Sequence, residues 1–576
     1  MKAQFFAAGA ALVAAGALAD LADATISISK RTDCRCFPGD ACWPVPCDWD
    51  KLNKTVSGRL VATVPLAHPC HDPDYDPVRC LALQNGWQDP ATHMDDSASI
   101  MAPFFANQSC DPFTAQSKPC TLGNYVVYAV AAETADDVIA AVKFAKKRNI
   151  RLIIRNTGHD YNGRSTGAGA LSVWTHKLKD IEFKNWQDEY YTGTAVKLGA
   201  GVQGYDILAA GRDRGQVVVG GECPTVGISG GYTQGGGHSA LSSSFGLSAD
   251  NTLEWEVVTA DGTLVTASRT QNSDLYWALS GGGGGNYGVV LSMTVKSFPD
   301  APVSGATLSF YASENPTDTF YSAIDAFHAA LPDMIGAGAM VVYYFTSSFF
   351  MIAPLTAYNK TTAEVEAIMA PLLSNLTSMG VTYSAAYSAS ATYYDHYNQY
   401  FGPLPNGNIQ VGIAQYGGRL VPLSAFDANR TAMSAVARYI ADKGVTWIGV
   451  GTDVSRFGSA DQNAVLPAWR TPLIHATLTT PWSFDPAEWD QMLANQRLMT
   501  YDIMPHIEAV TPGSGAYMNE ADFQQPDWQT VFFGDNYAKL LTIKNKYDPS
   551  GLFYARNAVG SEKWSVANDG RMCQVV

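Results

Sequence analysis

The sequence predicts an α+β chain of at least two domains, and three observations carry that prediction. At 576 residues the chain is longer than one ordinary core organises. Between residues 134 and 163 a helical period runs into a short apolar stretch and then a glycine-bearing loop, the order of an α/β unit whose loop meets a ligand. Beyond Pro299 strand-like and helical stretches mix in a different texture, which reads as a second, α+β domain facing the first.

Taken in order, the chain opens on Lys2, an apolar stretch over 4–18 and the small-x-small site Ala17-Leu18-Ala19, the form of a secretory signal peptide over 1–19. At about 15 residues that stretch is short of the roughly 20 a membrane span needs. The later apolar run at 337–355 is interrupted by Tyr, Thr and Ser, so no membrane association is expected. Export agrees with the cysteines: of ten, eight fall within the first 120 residues, and disulfides are their natural state in an oxidising compartment. Cys34 and Cys36 with Cys42 and Cys47 can also be drawn as a metal cluster, but the spacing is irregular and His68, Cys70 and His71 do not repair it; no metal is expected. Asn53, Asn107, Asn359, Asn375 and Asn429 each head an N-x-S/T triplet, which fits a secreted, extracellular chain bearing N-linked glycans. Charged residues are only 16%, while 28 Tyr and 13 Trp are present, a globular composition rather than a disordered one. The formal charge of -15 argues against nucleic acid or an anionic membrane as a partner.

Residues 20–119, rich in Cys, Pro and Asp, read as an irregular lead-in tied by disulfides. Thr134 with Asp137 caps a helix whose apolar positions Val138, Ala141, Val142 and Ala145 follow at helical spacing. Leu152 to Ile154 reads as a strand running into Arg155-Asn156-Thr157-Gly158-His159. A strand over 189–197, a helix over 203–214 closed by Gly215 and a strand over 216–219 lead to the densest glycine region, from Gly220 to His238. Glycine lets backbone approach a ligand closely, and successive amides in such turns cradle anions. Gly283 to Gly288 formally satisfies G-x-G-x-x-G, but a helix precedes it and a strand follows, the reverse of the dinucleotide-binding order. Those glycines read instead as tight turns beside a bound cofactor. Beyond them, strands are expected over 305–311, 338–355 and 445–451, and helices over 319–330, 363–376, 425–441 and 536–546.

Six stretches together carry a family resemblance: RNTGHDYNGRSTGAGALSV (155–173), GGECPTVGISGGYTQGGGHSALSSSFGLSADN (220–251), DLYWALSGGGGGNYGVV (274–290), LPAWR (466–470), SGAYMNEAD (514–522) and KNKYDPSGLFYARNAVGSE (544–562). From about residue 120 onward the chain resembles the berberine-bridge-enzyme-like branch of the vanillyl-alcohol-oxidase, or PCMH, flavoproteins, in its secreted fungal form. The resemblance implies an FAD-binding domain of two α/β subdomains over 120–300, an α+β substrate domain with an antiparallel sheet over 301–525, and a segment over 526–576 that returns to the FAD domain. It implies one FAD held by two bonds, His159 to the 8α-methyl and Cys223 to C6 of the flavin. On the first loop, the cofactor would also be held by Arg155, Asn156, Thr157, Gly158, Asp160, Gly163 and Ser165. On the second, Gly221, Thr225, Gly227, Gly230, Gly231, Gly236 and His238 are the counterparts, with Asn557 in the cofactor wall. By residue chemistry alone, imidazole and thiolate are nucleophiles suited to an electrophilic ring, but His159 could equally be a satisfied loop residue and Cys223 a buried thiol or disulfide partner. If Cys223 holds flavin, nine cysteines remain and one is unpaired.

The implied reaction is hydride transfer from an alcohol, phenolic or carbohydrate substrate, with molecular oxygen reduced to hydrogen peroxide. Where many relatives carry Tyr after the Asn of Tyr517-Met518-Asn519, this chain carries Glu520, a departure from the sugar-oxidising pattern. Glu520 is therefore one candidate base, beside His475 and the pair Tyr394 and Asp395 in a tyrosine-rich stretch. Paired-ion and packing roles remain open for all four. Arg470 reads as a fixing residue of the substrate domain. A dehydrogenase of the same fold with poor oxygen reactivity, and a secreted binding protein with degenerate catalysis, also remain open, although both attachment residues are present.

Overall fold

Three large sheets organise the chain in the computed structural model, which describes residues 34–575; the expected leader over 1–19 lies outside those residues. The first sheet orders its strands Leu60–Ala62, Tyr128–Ala131, Leu171–Trp174 and Leu152–Arg155. The last three run parallel, and helix Ala135–Arg148 supplies a crossover between them. That helix starts where the sequence places it. Thr134 Oγ1 accepts the Asp137 amide, and the Asp137 carboxylate accepts the Thr134 amide at 3.0 Å. Val138, Ala141, Val142 and Ala145 form its buried face.

The lead-in is not irregular, which corrects the sequence expectation. It forms helices Pro46–Thr55, Pro77–Gly86, Pro90–Met94 and Pro103–Ala106, each with proline in its first turn. A proline there costs no intrahelical bond and its fixed φ suits the helix, so these residues start elements rather than break them. Leu60–Ala62 also pairs antiparallel with Tyr128–Ala131, joining the lead-in to the first sheet. Four disulfides tie the region: Cys34–Cys573, Cys36–Cys42, Cys70–Cys80 and Cys110–Cys120. The cysteines that could be drawn as a metal cluster are thus mostly spent on bridges, and Cys47 is free and exposed.

The second sheet is antiparallel, in the order Ile181–Gln187, Thr192–Gly199, Val289–Lys296, Thr252–Val258 and Leu264–Ser268. The strand expected over 189–197 begins only at Thr192, because Asp188 accepts the amides of Tyr190 and Tyr191 and closes a turn. The strand expected over 216–219 pairs only at Gln216–Val217, against Phe298–Pro299. Trp255, Tyr287 and Met293 fill the core beneath this sheet.

The third sheet has seven antiparallel strands, in the order Ser384–Ser390, Val303–Tyr311, Phe349–Tyr358, Met340–Phe345, Thr446–Thr452, Leu473–Pro481 and Ala414–Pro422. The run expected over 338–355 is a hairpin of two of these strands. Helices Thr317–Gly336, Thr362–Ser378 and Leu423–Asp442 cover one face, burying Phe320, Phe327, Leu331 and Met433 against it. The two-residue period of Leu473–Pro481 divides its side chains. Ile474, Ala476 and Leu478 enter the helix-covered core, whereas Thr477 and Thr479 line a cavity on the other face. The fold is therefore mixed α and β, with a ligand-facing amino-terminal part and an antiparallel-sheet part laid over it. The carboxyl-terminal helix Tyr537–Tyr547 brings Lys544 into the interior, where its ammonium donates to the carbonyls of Asn286 and Phe553 and to Asp548 at 2.7 Å or less.

Candidate active site

A cavity of about 540 Å³ is bounded by the two glycine loops and the free face of the seven-stranded sheet. The first loop leaves the strand Leu152–Arg155 at Asn156. Arg155 itself points away: its buried guanidinium donates to backbone carbonyls of His93, Asp96 and Ser99, fastening the loop to the lead-in. Gly158 sits at φ +93°, and a Cβ there would lie 2.6 Å from that guanidinium, so only glycine turns the chain toward His159. Asp160 accepts the amides of Asn162 and Ser165 at 3.0 Å and that of Arg164, which folds the rest of the loop.

The second loop packs onto the first through Asn156. A Cβ on Gly227 would collide with the Asn156 amide, and one on Gly230 would come within 3.2 Å of it. This contact brings the two expected anchors together. His159 Nε2 lies 2.8 Å from Thr225 Oγ1, and Cys223 Sγ lies 3.3 Å from the same oxygen. Both side chains line the cavity. Burial lowers the His159 imidazole to about 3, with His93 and Arg155 adding to the shift, so it is neutral at physiological pH. Burial pushes the Cys223 thiol up, opposed by hydrogen bonds from Thr225 and Val226. Cys223 is in no disulfide; with Cys47 it makes up the two free cysteines, the count expected if one thiol holds flavin.

Of the other residues expected at the cofactor, Asn156, Thr157, Gly158, Asp160 and Ser165 line the cavity from the first loop. Gly221, Gly227, Gly230, Gly231 and His238 line it from the second. Arg155, Gly163, Thr225, Gly236 and Asn557 do not line it: Thr225 stands between the anchors, Gly163 turns against Phe105, and Asn557 donates its amide to the Phe523 carbonyl. Gly284 and Gly285 close the cavity from the third glycine run, next to the buried Gln234. Asn156 Oδ1, Ser229 Oγ and Gln234 Oε1 are buried there without a hydrogen-bond partner. Unpaired acceptors, glycine turns and two nucleophiles on one wall fit a polar-edged, electrophilic ring such as a flavin.

Glu520 lines the same cavity. Its Oε1 accepts His238 Nε2 at 3.0 Å, and its Oε2 accepts His475 Nε2 at 2.9 Å and Thr477 Oγ1 at 3.0 Å. Tyr517 packs edge-on against both imidazoles, with ring centroids 5.5 Å and 5.3 Å away. Burial alone would raise the Glu520 carboxyl, but His238 and His475 outweigh it and hold the group well below the usual carboxylate range. Burial would lower His238, yet Glu520 and Glu222 carry it up to about 8. His475 is wholly buried and its imidazole is lowered.

The tyrosine-rich stretch needs correcting. Tyr394 and Asp395 open helix Tyr393–Phe401 and do not line the cavity. Asp395 accepts the Thr392 hydroxyl as part of the helix cap, and Tyr394 lies under the Arg212 guanidinium. The aromatic wall is built elsewhere, by Tyr161 and Tyr416, stacked at 3.8 Å and 10°. Sequence reasoning missed Tyr416 and Glu222. Glu222 stands in the glycine run beside Cys223 and was legible there as an acid out of place. Arg470 fixes structure as expected, with both guanidinium arms on buried Asp250 at 3.0 and 2.8 Å.

Comparison with known proteins follows the same lines. Residues 126–268 match the family model described as FAD binding domain, and 516–560 match that described as berberine and berberine like. The chain is 58% identical to the FAD-linked oxidoreductase ZEB1 of Gibberella zeae over 95% of its own length and 96% of that protein. The solved structure of the VAO-type flavoprotein MtVAO615 from Myceliophthora thermophila C1 superposes with a TM-score of 0.91 at 43% identity, covering 94% of this chain and 100% of that one. Glucooligosaccharide oxidase from Acremonium strictum, described with a 6-S-cysteinyl, 8α-N1-histidyl FAD, shares the fold at a TM-score of 0.62 and 19% identity, over 76% of this chain and 92% of that one.

Proposed function

The chain belongs to the fungal FAD-linked oxidoreductases of the vanillyl-alcohol-oxidase type, and from that premise we propose that it is an oxidase of a small alcohol or phenol, holding FAD through both His159 and Cys223 and using Glu520 as its base. When bound, FAD supplies the acceptor for a hydride from the substrate carbon and passes the electrons to oxygen, giving hydrogen peroxide. The protein's own residues do the rest.

Thr225 carries this reading, because it places an imidazole nitrogen and a thiol from separate loops within reach of one hydroxyl on one cavity wall. Nε2 of His159 is engaged there, which leaves Nδ1 as the nitrogen available to carbon. The thiol of Cys223 draws on the same hydroxyl for stabilisation of its thiolate, the nucleophilic form. In the same cavity, Glu520 takes the proton of the substrate hydroxyl while His238, His475 and Thr477 keep its carboxylate in one orientation. Tyr161 and Tyr416 offer a flat face, and Tyr344, Ile448 and Val450 an apolar one, which favour an aromatic or otherwise planar alcohol over a sugar. The four disulfides favour maturation in an oxidising compartment and hence secretion.

Peptide mass mapping of the purified yellow protein tests the anchors. One FAD joining the peptides that contain His159 and Cys223 is expected; flavin lost on acid precipitation, or Cys223 found in a disulfide, overturns the two-bond reading. Peroxide release across benzylic alcohols, phenols and oligosaccharides then names the substrate class. A response confined to oligosaccharides contradicts the aromatic-alcohol reading.

A further inference from the structure

Beside Cys223 lies a carboxyl that the proposed reaction has not used. Glu222 lines the cavity with a side chain only 14% exposed, and its Oε1 is buried without a hydrogen-bond partner. It faces His238 Nδ1, itself buried and unpartnered, at 3.9 Å. Two orphaned polar atoms of opposite proton character thus face each other less than about 1 Å beyond hydrogen-bond reach. Such contacts often tighten only once substrate is bound. The other ring nitrogen of His238 is the one that holds Glu520. Glu222, His238 and Glu520 therefore form a line through one imidazole, with His475 and Thr477 closing its far end.

Three donors make Glu520 a firmly held carboxylate, and for that reason a weak base by itself. Something must relax the positive charge on His238 as the substrate proton arrives. We propose that Glu222 is the proton store of this site: when Glu520 takes the proton of a substrate hydroxyl, His238 passes its Nδ1 proton to Glu222. One proton enters the line at Glu520 and one moves from Nδ1 to the Glu222 carboxylate, so His238 ends neutral and the proton count balances. The inference rests on the assignment of Glu520 as base.

The surroundings suit this role. Burial raises Glu222 to about 7, against the pull of His238. The remaining ionisable neighbours are Tyr161, Tyr232, Tyr344, Tyr393, Tyr397, Tyr416 and Tyr517, all raised by burial and so neutral, together with the raised thiol of Cys223. His475 is lowered by burial and stays neutral as a donor to Glu520. Only Glu222 and His238 are left to titrate near neutrality. Glu222 must be ionised to receive a proton, so the relay fails as pH falls through about 7.

Infrared titration of the resting holoenzyme tests this without any substrate. A protonated-carboxyl C=O band should fade as pH rises through about 7, be absent in Glu222→Gln, and fade at higher pH in His238→Asn, where the imidazole that lowers Glu222 is gone. An unchanged band in Glu222→Gln overturns the assignment. With a benzylic alcohol that releases peroxide, Glu222→Gln should slow anaerobic flavin reduction by about tenfold or more, short of the roughly 100-fold at which direct acid–base effects begin because Glu520 still takes the proton, with KM little altered and the low-pH limb lost. Glu222→Asp keeps a buried carboxyl one methylene shorter and should keep a protonated-carboxyl band; its loss overturns the assignment of the band to this position. A Glu222→Gln enzyme with the wild-type rate and limb also refutes it, even where Glu520→Gln is inactive and the base assignment stands.

Discussion

Replacing Glu520 with Gln separates the base from the scaffold that holds it. The carboxylate accepts from three donors: His238 at 3.0 Å, His475 at 2.9 Å and Thr477 at 3.0 Å. A glutamine has one acceptor oxygen. Turned toward His475 and Thr477, it satisfies both, and its amide N–H then meets His238 Nε2. Without the Glu520 charge, the largest influence raising it, His238 becomes neutral and can accept that N–H. One of its two amide N–H groups is thereby paired, and with a side chain 27% exposed on the cavity the other is not sealed from solvent, so protein yield and covalent flavin content should match the wild type. Proton removal is another matter. Loss of a positioned base costs about 100-fold to 10,000-fold, or about 3 to 5 kcal/mol of barrier. Anaerobic stopped-flow bleaching of the flavin by a benzylic alcohol reads this step directly. A Glu520→Gln rate within about threefold of the wild type, far less than base removal costs, would refute the assignment of Glu520.

Four further outcomes follow from the same geometry. Cys223→Ser should leave flavin attached through His159 alone, seen as a single flavinylated peptide; complete loss of bound flavin would show that the two bonds are not independent. Thr225→Val removes the hydroxyl both anchors share and should slow covalent incorporation, by the equivalent of about 1 kcal/mol for each hydrogen bond lost, measured as acid-stable flavin formed over time. Arg470→Met strands the Asp250 carboxylate, which is 1% exposed, and should cost about 3 kcal/mol or more in denaturant unfolding. Thr134→Ala removes the cap of helix Ala135–Arg148 and should cost about 1 kcal/mol in the same assay, with activity unchanged.

What the sequence discloses depends on how far apart the cooperating residues lie. Helix Ala135–Arg148 was legible because its cap and its buried face sit within one short stretch. Both anchor loops were legible for a similar reason, glycines clustering around His159 and Cys223. The same local signals went unread elsewhere. Thr392 and Asp395 have the spacing of a helix start, and reading them so would have kept Asp395 and Tyr394 out of the list of bases. The prolines of the lead-in were likewise starts taken for irregularity. By contrast, nothing local joins His238 to Glu520 across 282 residues. That pairing needs strand Leu473–Pro481 to turn the odd-numbered His475 and Thr477 away from the core that receives Ile474 and Ala476, and a one-residue register shift would reverse it.

That dependence explains a division within the molecule. The anchors belong to loops that interlock on Asn156 and are pinned by Arg155 to the lead-in, so their separation is set inside the amino-terminal part. The base is assembled from three places: the second glycine loop, one strand of the seven-stranded sheet, and the segment 514–522. Asn519 ties that segment back to the Gly231 carbonyl at 2.8 Å, one residue before Glu520. Asn519→Ala should therefore leave flavin attachment intact and loosen only the base. If flavin reduction slows while acid-stable flavin is unchanged, the two halves of the site are separable as the contacts imply. Parallel loss of both would mean that the segment also shapes the cofactor cavity, and that holding the flavin and activating the substrate are a single structural task.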